Sequence, residues 1–261
     1  MRNFLIILFC LLILPLDLSA WPFPGVLNYN PTSIQERQGS WPNWDLPGPF
    51  RKSRLIDEFI FPDSFKGEWK IYSIDLIDEH NQSYQHFAKF KLDADRRVLA
   101  DNLFNAKSLG KEVFGEDLID IIDKPNSSNV QLAFFKGGNF LETKVIGRIY
   151  EISSNDVFFT DEIDMQIFHT KPNTRVNKVE TLSRYSSCDD LKISFQNISL
   201  NSMCAEQFQV RYNISDNIFR PSIDNKNHFL LIFIPPENEF SLDDFLIDLS
   251  SQKDEPTMDD R

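Results

Sequence analysis

The sequence predicts an all-β protein, a single antiparallel up-and-down β-barrel of about eight to ten strands with one short helix after the third strand. Three observations carry this reading. Strand-like segments with period-2 alternation recur from Gly67 to about Ile234. The links between them are short and turn-forming, Gly137-Gly138 above all, because glycines supply the positive φ of hairpin turns. Only one segment in that span shows a helical stripe. Closing so many consecutive hairpins removes exposed strand edges, which favours a barrel over the alternative, a two-sheet β-sandwich.

The elements follow in order. Met1-Arg2-Asn3, the apolar run Phe4 to Leu16 and the exit Asp17-Leu18-Ser19-Ala20 describe an export signal over residues 1–20, cleaved after Ala20. The run is short of the roughly 20 residues that span a bilayer; an uncleaved anchor is the alternative. Residues 21–66 form an arm rich in Trp and Pro, including Trp41-Pro42-Asn43-Trp44, where the prolines exclude long helices and central strands. Its aromatics need burial, so the arm is expected to lie on the barrel.

The barrel domain spans residues 67–236. Strands are expected at Gly67–Ile77, Tyr84–Leu92 and Arg97–Asp101, then a helix over Asn105–Gly115 striped by Ala106, Leu109, Val113 and Phe114. Strands resume at Val130–Lys136 and Asn139–Glu151. Val157, Phe159, Ile163, Met165 and Ile167 then alternate with Phe158, Thr160, Glu162, Asp164 and Gln166, which marks a half-buried strand. Arg175–Ser187, Leu191–Gln196, Cys204–Asn213 and His228–Ile234 complete the set, and Pro235-Pro236 ends it. Residues 237–261 read as an acidic, disordered tail, with Phe240, Phe245 and Leu246 as its apolar positions.

Composition limits the chemistry. Hydrophobic residues make up 41 % and Phe alone 24 positions, enough for a core. A formal charge of −12 argues against nucleic acid and anionic membrane surfaces, since both are met by clustered Lys and Arg. Beyond Cys10 in the apolar run, only Cys188 and Cys204 remain. In an exported chain they are expected to form a disulfide, whose loop of about 15 residues is worth roughly 3 kcal/mol of closure entropy. The histidines, His80, His86, His169 and His228, lack metal-ligand spacing, and there is no nucleophile elbow or phosphate-cradling loop. No metal, cofactor or catalytic residue is expected.

Gly67-Glu68-Trp69 at the start of the first strand resembles the opening of lipocalin-like (calycin-type) barrels, where a Trp plugs the closed end and a late Arg packs on it. That resemblance gives Gly67 and Trp69 a structural role, with Arg184 or Arg211 as the stacking partner. Over residues 41–234 the chain also resembles a family of uncharacterised proteins of cyanobacteria and plant and algal plastids. The resemblance rests on Phe61-Pro62-x-x-Phe65-x-Gly67-x-Trp69, Phe104-Asn105-Ala106-x-Ser108-Leu109-Gly110, Val179-Glu180-Thr181-Leu182-Ser183-Arg184-Tyr185 and Cys204-Ala205-Glu206-Gln207. Phe208 stands where members commonly carry Trp. The family implies a lineage and a compartment, the periplasm or thylakoid lumen, but no activity.

Glu180, Arg184 and Glu206 are the candidate ligand-binding residues, because these charges fall within strands and Glu180 and Arg184 share one face. Turned inward they would be paired and could orient a polar group; turned outward they are a surface pair. The leading expectation is an exported, monomeric, non-enzymatic binding or accessory protein that holds an apolar ligand, a lipid or pigment, in a Phe-rich barrel. One alternative is an interaction or assembly factor for photosynthetic membrane complexes, using the Trp/Pro arm. The other is a cofactor-free barrel enzyme such as an isomerase, with Glu180 or Glu206 as acid or base.

Overall fold

The computed structural model describes residues 33–44, 47–48, 58–78, 82–127, 129–153, 157–191, 202–214, 221–238, 240–242 and 245–246. The expected export segment lies outside the described residues. No helix among the described residues is long and apolar enough to cross a membrane. After a short helix, α1 (Ile34–Gly39), come β1 (Gly67–Asp75), β2 (Ser83–Leu92) and β3 (Val98–Ala100). Helix α2 (Asn102–Phe114) and then β4 (Leu118–Asp123), β5 (Val130–Phe135), β6 (Phe140–Ile152) and β7 (Phe158–His169) follow. The last strands are β8 (Thr174–Ser187), β9 (Met203–Asn213) and β10 (Ser222–Ile234).

These strands form one antiparallel sheet in the order β3-β2-β1-β10-β9-β8-β7-β6-β5-β4. Every strand from β1 to β9 except β3 neighbours its sequence successor, and β10 returns to pair with β1. The sheet curls, because Trp69 and Ile71 of β1, Ala88 and Phe90 of β2, Phe158 of β7 and Phe233 of β10 meet in one cluster. Closure is incomplete. β3 and β4 do not pair, and helix α2, which connects them, fills the seam.

The helix does so in two ways. β3 covers only Phe90–Leu92 of β2, leaving the rest of that edge without a strand. Asn105, Ser108 and Glu112 share one helical face and accept from the β2 amides of Lys89 (2.7 Å), Phe87 (2.7 Å) and Gln85 (3.5 Å). Side chains thus stand in for a missing strand. Toward β4, Leu103 and Ala106 pack on Ile121, Ala133 and Phe135. A Cβ at Gly110 would come within 2.9 Å of Ile121 Cδ1, so a glycine lets the helix rest there.

The interior has two zones, visible along single strands. Phe61, Phe65, Trp69, Phe90, Phe158, Leu231 and Phe233 fill one end. The same face of β7 continues from Phe158 to Thr160, Glu162 and Asp164, and that of β8 from Tyr185 to Ser183 and Thr181. In β9 the inward residues run from Ala205 to Gln207 and Gln209, and in β1 from Ile71 to Ser73 and Asp75. The interior beyond the aromatic end is therefore polar.

The apolar residues on the outer face are covered from outside. Ile34, Trp44 and the partly buried Trp41 from the arm pack on Phe159, Leu182, Phe208 and Val210. On the adjoining face, Phe240, Leu242, Phe245 and Leu246 pack with Tyr72, Ile74, Leu230, Ile232 and Ile234. Phe240, Leu242, Phe245 and Leu246 are thus docked within the segment expected to be a disordered tail; residues 239, 243–244 and 247–261 lie outside the described residues.

Helix α2 starts three residues before the expected Asn105, β1 ends two before the expected Ile77, and three later strand expectations change more. β4 escaped expectation because a bulge between Leu118 and Asp120 breaks the period-2 pattern. β10 begins at Ser222, six residues before the expected His228, in a polar stretch that the sheet accommodates at its open end. In the expected strand Leu191–Gln196, Leu191 ends a 3₁₀ turn (Asp189–Leu191), and residues 192–196 lie outside the described residues.

Candidate functional site

The site is built on β6 and β7. A register shift between Val145 and Gly147 inserts one extra residue in β6. Val145 consequently pairs with Asp164 and Arg148 with Glu162, and both β6 side chains face inward although they are three residues apart. Arg148 Nε donates to Glu162 Oε2 at 2.5 Å, and its guanidinium lies 4.9 Å from the Phe59 ring centroid. Asp164 Oδ1 is shut off from solvent and has no hydrogen-bond partner. Burial first, then the charge of Glu162, pushes the Asp164 carboxyl well above the usual carboxylate range, with Arg148 acting the other way.

These groups border a cavity of about 280 Å³ at the unpaired seam. The β3–α2 junction, from Leu99 to Leu103, forms one wall; Asp123, Gln131, Thr143, Val145, Arg148, Glu162 and Asp164 form the other. Lys91 and Glu58 stand at the same cavity, and Lys91 Nζ is 3.1 Å from Asp101 Oδ2. Gln131 Nε2 donates to Asp123 Oδ1 at 3.1 Å. Deeper in the polar zone His86 Nε2 lies 3.1 Å from Ser73 Oγ, and burial pushes the imidazole below its ordinary range. Among the described residues no group of three or more His, Cys, Asp or Glu side chains is placed to hold a metal ion.

The candidate residues named from sequence lie elsewhere. Glu180 and Arg184 do share a face, the outer one. Glu180 is fully buried beneath the arm, where Arg37 Nε and Nη2 reach its two oxygens at 2.8 Å each. Tyr212 Oη (3.2 Å) and the Gly48 amide (2.8 Å) also donate to it. The Arg37 guanidinium lies 4.4 Å from the Trp44 ring centroid, and the Trp44 indole donates to Arg37 O. Burial opposes the charge on Arg37, but the Glu180 bond and charge hold its pKa above the ordinary value.

Arg184 and Glu206 form a half-buried outer pair at 3.3 Å, with His228 Nε2 at 3.7 Å from Glu206. His228 first, and Arg184 with it, hold Glu206 below the usual carboxylate range. Arg211 lies at the far end of β9 from Trp69, exposed and 3.7 Å from Asp224. No arginine among the described residues stacks on Trp69. Its indole instead donates to Phe65 O at 2.7 Å, while Gly67 opens the strand at φ 125°. Cys188 and Cys204 are disulfide-bonded, which is compatible with an oxidising compartment.

Arg148, Glu162 and Asp164 were missed. Glu162 and Asp164 stood in the sequence as the polar side of an amphipathic strand, which normally faces water. The available signal was the acid pair and an arginine, Arg148, 14 residues before Glu162 in the preceding strand, but its register depends on the bulge.

A ten-stranded up-and-down sheet with a helix in its seam and a charged interior cavity defines the class of protein. Residues 56–217 match the family described as a domain of unknown function (DUF6816), so the chain belongs to that family. The matched span contains every residue that lines the cavity. No curated protein and no solved structure matches the chain.

Proposed function

We propose that this chain is an exported, non-enzymatic binding protein, resident in a periplasm or thylakoid lumen, that holds a small polar ligand in the seam cavity. One observation carries the reading: convergent charged groups surround empty space, and a buried carboxylate oxygen there, Asp164 Oδ1, has no partner. About 280 Å³ suits a ligand of modest size. The lineage expected from sequence, cyanobacterial or plastid, and a lipocalin-like ancestry fit such a role.

An apolar ligand is the second reading, and a separate hollow favours it. At the aromatic end Phe65, Ile152, Phe158, Tyr185 and Met203 line a depression of about 470 Å³. The assembly-factor reading draws less support, because Trp44 is fully buried and its N–H is engaged. Glu180 and Glu206 lend little to an isomerase, since both lie on the outer face, away from either hollow.

The test is gentle purification of the full chain from its source membranes, followed by mass spectrometry of small molecules released on denaturation. A bound polar molecule, retained by wild type and lost on Ala100→Trp in a variant with unchanged thermal unfolding, is expected. A coherent set of co-purifying proteins with no small molecule would sink the reading. A lipid or pigment that survives Ala100→Trp would replace it with the second.

A further inference from the structure

We infer that the seam cavity selects a small organic cation bearing ammonium groups; the inference rests on the binding reading above. The walls carry five carboxylates and two cationic side chains. Both cations are engaged within the wall, Lys91 with Asp101 and Arg148 with Glu162. Glu58 faces Arg97, which leaves Asp123 and Asp164 without a salt bridge of their own, and an acidic residue with an unpartnered oxygen is what a ligand ammonium would complete. An anion would meet the excess of carboxylates. A compact metal ion finds no group of three acids close enough to coordinate it among the described residues. A flexible diamine can reach two separated acids and leave the rest of the cavity to its methylenes, against Val145 and Ala100.

Proton linkage follows from the geometry. The charged groups about Asp164 are Glu162 on its own strand, Arg148 on β6, Asp123 on β4, and Lys91, Asp101 and Glu58 across the seam. The fold raises the Asp164 pKa, so an arriving ammonium would favour ionised Asp164 and displace its proton. Affinity for the cation therefore rises with pH through the raised value.

The experiment is titration calorimetry of the full chain with putrescine, choline, glycerol, succinate and Mg²⁺, in two buffers of different ionisation enthalpy. Putrescine is expected to bind most tightly, with proton release, and to weaken at least tenfold in Asp164→Asn and in Asp123→Asn. Binding of glycerol or succinate in preference to putrescine overturns the cation class and leaves the binding reading standing. Preferential Mg²⁺ binding abolished by the same variants replaces an organic cation with a metal. If no probe binds, the class falls; if the purified chain also releases no small molecule, the binding reading falls with it.

Discussion

Asp161 and Asp164 lie three residues apart on β7 and face opposite sides of the sheet. Each has a carboxylate oxygen without a hydrogen-bond partner, and burial raises the pKa of each. Their surroundings differ. Asp161 sits outside beside Glu180, beneath an arm that fills the available space: a Cβ on Gly48 would lie 2.9 Å from Glu180 Oε1 and 3.6 Å from Asp161 Oδ2. Asp164 sits inside, next to a cavity. Outside, the chain itself completes the neighbouring Glu180, through Arg37, Tyr212 and the Gly48 amide, and the arm leaves no space beside Asp161. Buried acids on the outer face of β7 and β8 thus lie under a fastened segment, while the inner face of β7 borders a cavity.

The largest effect should come from the outer cluster. Arg37→Ala strands Glu180 without its bidentate partner, and breaking a buried pair costs about 3–5 kcal/mol. Denaturant unfolding is expected to show that loss, with the double variant Arg37→Met/Glu180→Leu restoring most of it. An exposed pair would change by less than about 1 kcal/mol, and such a result would remove the sealed half of the comparison.

An intermediate effect is expected at the seam. Asn105→Ala with Ser108→Ala deletes two bonds to the β2 edge, each worth about 0.5–1.5 kcal/mol. Hydrogen exchange should quicken at the Phe87 and Lys89 amides while β8 and β9 keep their protection. Uniform acceleration would mean the helix is integral to the whole fold and not a local closure.

The smallest effect is a pH slope. Asp164 is more protonated in the fold than in the unfolded chain. The stability it contributes is fully present below the ordinary carboxylate range and is lost as pH rises through its raised value. Asp164→Asn should flatten that decline in thermal unfolding measured across pH. An unchanged slope would show that the cavity already hydrates Asp164 as water does.

Most of the strands could be read from their alternation, and so could the helix after the third and the cysteine pair, since each depends on local spacing. The motif Asn105-x-x-Ser108 was visible as a pattern but not as a set of strand-edge acceptors, because β2 becomes their neighbour only after the chain turns back. Likewise Glu180 was legible as a charge inside a strand, while its partner Arg37 lies 143 residues away.

By itself the sequence determined that β7 is amphipathic, that the chain alternates strand and turn, and that Trp69 follows a glycine able to adopt φ 125°. Only the tertiary structure decided which side of each strand is inside. In a curled sheet the apolar face can be buried from without, by the arm and by Phe240, Leu242, Phe245 and Leu246, as effectively as from within. That freed the inward face of β7 to be acidic, and a single extra residue in β6 set Arg148 opposite Glu162. Alternation fixes that two faces differ. It does not carry the long-range packing that tells them apart.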